Sequence, residues 1–201
     1  MRVSRVQAEQ NRQSVITAAS RLFREHGFDG IGLKDLMKGA GLTQGAFYKQ
    51  FDSKEDLEAQ ASRRAFESAA QRWRGAIDTH PDDPLGAVLS HYLSMEHCAQ
   101  TMDGCPIVAL AADAARQGET VKAEFEAGIR ASLAAVGDLL SGARPAPRDT
   151  EAMAALSMMV GAMLLSRAVN DHDLSRQILT AAADGVRRLS AADQTDGGPA
   201  Q

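Results

Sequence analysis

Four side chains able to bind a metal, or to act as nucleophile and base, fall between positions 91 and 105: His91, His97, Cys98 and Cys105. A structural zinc needs four ligands converging on one point, and chains that supply them use short, paired Cys and His spacings. These spacings are not of that kind, and on a helix His91 and His97 would lie about 240° apart around the axis. No metal or other cofactor is therefore assigned. A Cys–His catalytic pair would also need an orienting acid and an oxyanion-binding loop. Neither is recognisable, so no residue is assigned as catalytic, and a small helical Cys/His enzyme stands only as a remote alternative.

The same region has a softer chemistry. His91, Met95, Cys98 and Met102 are spaced 4, 3 and 4 apart. They would share one face of a helix running from Leu85 to about Thr101. Cys105 follows at the start of the next helix, and helix N-termini favour thiolates. Met159 and Met163 come from a later, strongly apolar helix. Methionine-lined cavities adapt to varied ligands, so these residues are the expected lining for a small effector, apolar or thiol-reactive. Inert core thiols and methionine filler are the plainer alternative.

A second constellation suits a different partner. Thr43, Gln44, Gly45, Ala46, Tyr48 and Lys49 offer small, amide, phenol and ammonium groups with no carboxylate among them. A helix entering a DNA major groove needs small residues for close approach and a few polar ones for base edges and phosphates. Thr43, Gln44 and Ala46 are the expected base contacts. Lys34, Tyr48, Lys49 and Lys54 are the expected phosphate contacts.

The elements that must position these groups follow from local pattern. Gln7–His26 reads as a first helix, with Val15, Ile16, Ala19, Leu22 and Phe23 on one stripe and Gly27 ending it. Leu33, Leu36 and Met37 share a face of a second helix, which Gly39-Ala40-Gly41 breaks and Leu42 plugs. Thr43 is an expected N-cap for a short helix over Gln44–Gln50, with Phe47 and Phe51 four apart on its inner face. Ser53 caps the next helix, with Asp56 as a capping-box partner. Two short helices around a tight turn make a helix-turn-helix.

The stretch GFDGIGLKDLMKGAGLTQGAFYKQFDSKEDL resembles the DNA-binding segment of TetR/AcrR-type transcriptional regulators, in detail from about Gln7 to Ser68. Its most specific part is G-L-T-x-G-x-F-Y-x-x-F-x-S-K-E-x-L, from Gly41 to Leu57. Gly32 departs from the usual Thr or Ser cap, at a cost of only a few tenths of a kcal/mol. The resemblance implies an all-α fold of about nine helices: a helix-turn-helix head over 1–57 (8–68 in the family's own division) and a ligand-binding and dimerisation body over 58–190. It also implies a homodimer joined through the last two helices, a palindromic double-stranded DNA operator, and release of that operator on binding a small effector. A constitutive DNA-binding protein with no ligand is the alternative.

Composition agrees. The chain has 201 residues, 44% hydrophobic, 24% charged and only 4% aromatic, which favours helices. Its net charge of −4 divides unevenly. Met1–Arg64 holds 11 Lys/Arg against 8 Asp/Glu, and the remainder 11 against 18, a basic head on an acidic body. Met1–Val6, with Arg2 and Arg5, reads as a mobile arm, and Ala191–Gln201 as a disordered tail. No run is expected to span a membrane and no signal-peptide core is visible, so a cytoplasmic protein is expected.

The body should contain a linking helix from Lys54 to about Ile77, then a break at Thr79–Pro84 with Asp83 as N-cap and Pro84 at the first helical position. Helices are expected over Leu85–Thr101, Pro106 to about Gln117, Glu119–Leu140, Arg148–Val169 and Leu174–Leu189.

Overall fold

A computed structural model describes residues 5–142 and 149–191. Among them the fold is all-helical: α1 (Arg5–His26), α2 (Leu33–Gly39), a short 3-10 helix (Gln44–Lys49), α3 (Lys54–Thr79), α4 (Pro84–Tyr92), α5 (Met95–Ala99), α6 (Pro106–Ala114), α7 (Glu119–Ser141), α8 (Asp149–Ala168) and α9 (His172–Ala191). Arg5 and Val6 begin α1 rather than lying in an arm. Arg2, residues 143–148 and all of the expected tail beyond Ala191 lie outside the described residues.

The chain forms two compact units, and their boundary differs from a cut at residue 57. The first comprises Met1–Ala70 with Gln100–Gly128, the second Gln71–Ala99 with Ile129–Gln201. The reason lies in the core of the first unit. Phe23, Phe28, Leu36, Met37, Phe47 and Leu57 are fully buried, and Leu110, Val121 and Phe125 from α6 and α7 belong to the same cluster. Phe28 sits edge-on to Phe23 at 5.2 Å and to Phe125 at 6.5 Å. Three short helices could not bury this apolar surface alone. Gly128 is required here, since a Cβ on it would lie 2.4 Å from the Phe66 ring. Polar ties follow the same route. Arg24, only 4% exposed, donates to the Ser20 and Gly104 carbonyls at 2.9 Å, and the Phe28 N–H donates to Asp113 Oδ2 at 3.2 Å.

The second unit begins as its sequence suggests. Asp83 Oδ1 accepts from the Gly86 N–H at 2.9 Å, with Pro84 at the start of α4. The single helix expected over Leu85–Thr101 is instead two, α4 and α5. Ser94 divides them: its hydroxyl donates to the His91 carbonyl and accepts from the His97 N–H, each at 3.0 Å. A serine that caps a new turn in this way competes with helix continuation. Arg167 on α8 donates to the carbonyls of Cys98 at 3.0 Å and His97 at 2.9 Å, satisfying the end of α5.

Helices α8 and α9 pack together: the Ser175 hydroxyl donates to the Ser166 carbonyl at 3.3 Å, and the Ser166 hydroxyl donates to the Ala162 carbonyl of its own helix at 2.8 Å. Ala152, Ala155, Met159, Ala162 and Met163 are buried, while Met153, Leu164, Leu165 and Leu174 are exposed. α8, at 20 residues and mean hydropathy 1.2, is long and apolar enough to cross a membrane. Its Ala-, Met- and Leu-rich run satisfies that length criterion while one face packs within the unit.

Candidate nucleic-acid interface and effector region

The turn of the helix-turn-helix is fixed by backbone chemistry. Gly41 has φ +71°, open to glycine without strain. Its N–H donates to the Lys38 carbonyl and that of Leu42 to the Met37 carbonyl, both at 2.9 Å. This is the Schellman arrangement, which satisfies the last carbonyls of α2 and redirects the chain.

The element after the turn is shorter and tighter than the expected helix over Gln44–Gln50. It is a 3-10 helix of six residues. Thr43 holds the N-cap position with extended backbone, but its hydroxyl makes no cap bond; its carbonyl instead accepts from the Ala46 N–H at 3.0 Å. Phe47 is fully buried and stacks on Phe51 at 5.4 Å, anchoring the inner face.

With that face inward, Thr43, Gln44, Gly45, Tyr48 and Lys49 are all exposed and Ala46 is half-buried. A Cβ added to Gly45 would meet nothing within 4 Å. On α2 Lys34 is exposed as expected, and so is Lys38, which sequence reasoning passed over although it lies one turn further on.

Lys54 is more engaged than a plain phosphate contact would be. Its ammonium donates to the Phe28 carbonyl, lies 3.5 Å from Glu58 and 6.0 Å from the centre of the Phe23 ring. An ammonium has three donors, so one N–H is left over. Burial raises the Glu58 carboxyl above its ordinary value, and Lys54 opposes that rise. Ser53 Oγ caps α3 by accepting from the Asp56 N–H at 3.0 Å, while the Asp56 carboxylate accepts from Asp52 N–H at 3.3 Å. Arg12 was missed altogether. Its guanidinium donates to the Gln50 carbonyl and to Gln60 Oε1, and lies 4.9 Å from the centre of the Phe51 ring.

The residues expected to line an effector site are divided. His91, Met95, Cys98, Met159 and Met163 belong to the second unit, and Met102 and Cys105 to the first. Because the helix breaks at Ser94, His91 and Cys98 lie on different helices, and Met102 lies in the turn beyond α5. Met159 and Met163 are buried. Cys105 takes the N-cap position of α6 as expected, buried and with no side-chain cap bond. The two cysteines form no disulfide.

His97 is a core histidine. It is 5% exposed, its Nδ1 lies 2.7 Å from the Tyr92 carbonyl, and its ring stacks on His91 at 6.0 Å. Burial pulls its pKa down to about 4, against the opposing pull of the Tyr92 carbonyl. The ring is thus neutral near pH 7, with its proton on Nδ1 to serve that carbonyl. Burial, and then Arg72, also lower His91. His91 borders a cleft between α3 and α4 that Arg72, Gly75, Thr79, His80 and Ser90 also line. The signal for that cleft was the Thr79–Pro84 break, which turns α4 back beside α3. Among the described residues no group of three or more His, Cys, Asp or Glu side chains could hold a metal ion.

Comparison with known proteins bears on this geometry. The sequence profile described as "Bacterial regulatory proteins, tetR family" matches residues 15–61. The transcriptional regulator LmrA of Bacillus subtilis is 28% identical over 115 residues, 56% of this chain and 61% of its own length. The transcriptional repressor NemR of Escherichia coli K12 is 26% identical over 136 residues, 66% of this chain and 68% of its own length. The alignment to the Bacillus protein thus spans about three fifths of that relative. The crystal structure of reduced E. coli NemR superposes with TM-score 0.75 at 23% identity, covering 89% of this chain and 96% of that one. A TetR transcriptional regulator from Chloroflexus aurantiacus gives TM-score 0.75 at 24% identity, covering 94% and 97%.

Proposed function

We propose that the chain is a regulator of the TetR family, whose sequence profile matches its residues 15–61, and that it represses transcription as a homodimer that releases a palindromic operator when a small effector binds. It is a DNA-binding transcriptional regulator and not an enzyme. The observation that carries the proposal is the exposed, carboxylate-free face of the Gln44–Lys49 helix, held outward by buried Phe47.

Thr43, Gln44 and Ala46 meet base edges, with Gly45 giving the groove room to approach. Lys34, Lys38, Tyr48 and Lys49 meet phosphates, and Lys54 does so with its remaining N–H. The Thr43 hydroxyl, unused by the helix, is available to DNA. The twin subunit docks on Met153, Leu164, Leu165 and Leu174, an apolar face on the last two helices. Two subunits then present their recognition helices to successive major grooves.

The effector binds in the body, among residues that include His91, Met95 and Cys98, or reacts with a thiol at Cys98 or Cys105. Helix α3 runs from its Ser53 cap to Thr79, so a shift in its far half reaches Leu57 in the head core. DNA and effector then oppose one another through a two-state helix. The test is binding to DNA from upstream of the chain's own gene against scrambled DNA, across a salt series, followed by a screen for releasing compounds. Selective binding with a steep salt slope supports the reading. Selective binding that no compound releases would leave a constitutive DNA-binding protein, and absence of selectivity at every salt would refute the regulator of its own promoter.

A further inference from the structure

The end of the recognition helix is held by a ring of hydrogen bonds that no DNA-facing residue enters. The helix stops at Lys49, and Gln50 takes its C-cap position. A helix C-terminus leaves carbonyls without partners inside the helix. Arg12, one helix away on α1, donates from one guanidinium nitrogen to the Gln50 carbonyl. Its other terminal nitrogen donates to Gln60 Oε1 at 2.8 Å. Gln60 Nε2 donates to Asp56 Oδ1 at 2.7 Å, and Asp56 Oδ2 accepts the Asp52 N–H at 3.3 Å. The chain of contacts therefore leaves the turn at Gln50 and returns to it at Asp52. Between those ends the guanidinium lies over Phe51, the residue whose ring stacks on the helix anchor Phe47.

We propose that Arg12 is a positioning residue for operator recognition: it sets the angle at which the Gln44–Lys49 helix is presented, without itself touching DNA. The inference rests on the DNA-binding reading above. A six-residue 3-10 helix has little rigidity of its own. Phe47 is its one fully buried side chain, with Ala46 packed partly against the same core and Phe51 stacked just beyond it. The Arg12 contact at the C-cap adds a polar point of attachment at the far end. The planar fork is essential, because two acceptors on different elements must be reached at once while a flat face lies against Phe51. Lysine has the charge but neither the fork nor the face.

The experiment measures operator and scrambled-DNA affinity across a salt series for the full-length protein and for Arg12→Gln, Arg12→Lys and Gln60→Met. Hydrogen exchange at the Gln50–Phe51–Asp52 amides is followed in the same proteins without DNA. Arg12→Gln should weaken operator binding on the order of ten-fold or more, leave the salt slope unchanged, and speed exchange at those amides. Arg12→Lys should fail to restore binding, and Gln60→Met, which alters no charge, should reproduce part of the loss.

A salt slope that falls by about one per subunit in Arg12→Gln, or full binding by Arg12→Lys, would overturn the proposal by making Arg12 a phosphate contact. Unchanged affinity in Arg12→Gln would overturn it too. Failure of the unaltered protein to select its operator would instead strike at the DNA-binding reading, and the exchange measurement would still test the clamp.

Discussion

Replacing Gly45 with alanine separates what the fold needs from what DNA needs. Gly45 lies inside the recognition helix, its φ is not positive, and a Cβ there would have no neighbour within 4 Å. Glycine in a helix interior costs up to about 1 kcal/mol relative to alanine. Gly45→Ala should therefore leave unfolding free energy unchanged or raise it by up to about 1 kcal/mol per subunit. If the groove wall approaches the backbone here, the added methyl has no space in the complex. Forcing an extra methyl group into a packed site costs about 1–3 kcal/mol, and a dimer meets that cost in both half-sites. Operator affinity should fall by about ten-fold to more than a hundred-fold. Because no charge is removed, the salt slope should stay where it was. Urea unfolding gives the first quantity, and fluorescence anisotropy with labelled operator at several salt concentrations gives the second. A variant that is as stable or more so, yet binds operator as tightly as the parent, would refute the close approach at Gly45.

Two further substitutions on the same face should behave differently. Lys49→Ala should weaken all DNA alike and lower the salt slope by about one per subunit, whereas Gln44→Ala should cut the ratio of specific to nonspecific affinity; unchanged preference in the latter would remove Gln44 from the base contacts. Leu165→Glu, at a position 57% exposed, should yield a monomer by analytical ultracentrifugation with the helical signal intact, and a persistent dimer would move the interface elsewhere. His97, with a folded pKa of about 4 against an ordinary 6.5, binds its proton more readily when unfolded. Its contribution to stability is thus present above 6.5 and lost as pH falls toward 4. Unfolding free energy should drop by about 2 kcal/mol from this group between pH 7.5 and 5, and the difference between parent and His97→Gln across that range measures it.

The head was legible because local rules determine it. A glycine C-cap, a period of three and four, a serine before a charged first turn and two aromatics four apart each have one physical meaning, and all agree on the same turn. What sequence could not give was the second layer. Arg12 lies 38 residues from the Gln50 carbonyl it serves, and no local pattern marks that pairing. The first unit's share of α6 and α7 was hidden for the same reason: Leu110 and Phe125 read as ordinary members of body helices until Phe28 is seen against them. The helix expected over Leu85–Thr101 failed on a local point. Periodicity carried the helix through Ser94, where the hydroxyl's two hydrogen bonds end one helix and begin another, and with it went the shared face of His91 and Cys98.

Helical glycines tie these surfaces together. Each one weakens its helix, so each asks for a reason. The chain itself supplies that reason at Gly128, where a Cβ would enter the Phe66 ring, and at Gly185, where it would lie 3.1 Å from the Met158 sulfur. Gly137 is in ordinary contact, its Cβ position 3.8 Å from that of Ala152. At Gly45, Gly75 and Gly161 a Cβ would meet nothing within 4 Å. Those three fall on the recognition helix, in the cleft beside His91, and on α8 near exposed Leu164 and Leu165. These are the surfaces assigned above to DNA, effector and twin. A glycine that its own fold does not need is accounted for when something from outside comes close to the backbone. On that argument Gly161→Leu should disturb dimerisation more than unfolding of the subunit, and Gly75→Leu should block an effector in the cleft while leaving operator affinity alone.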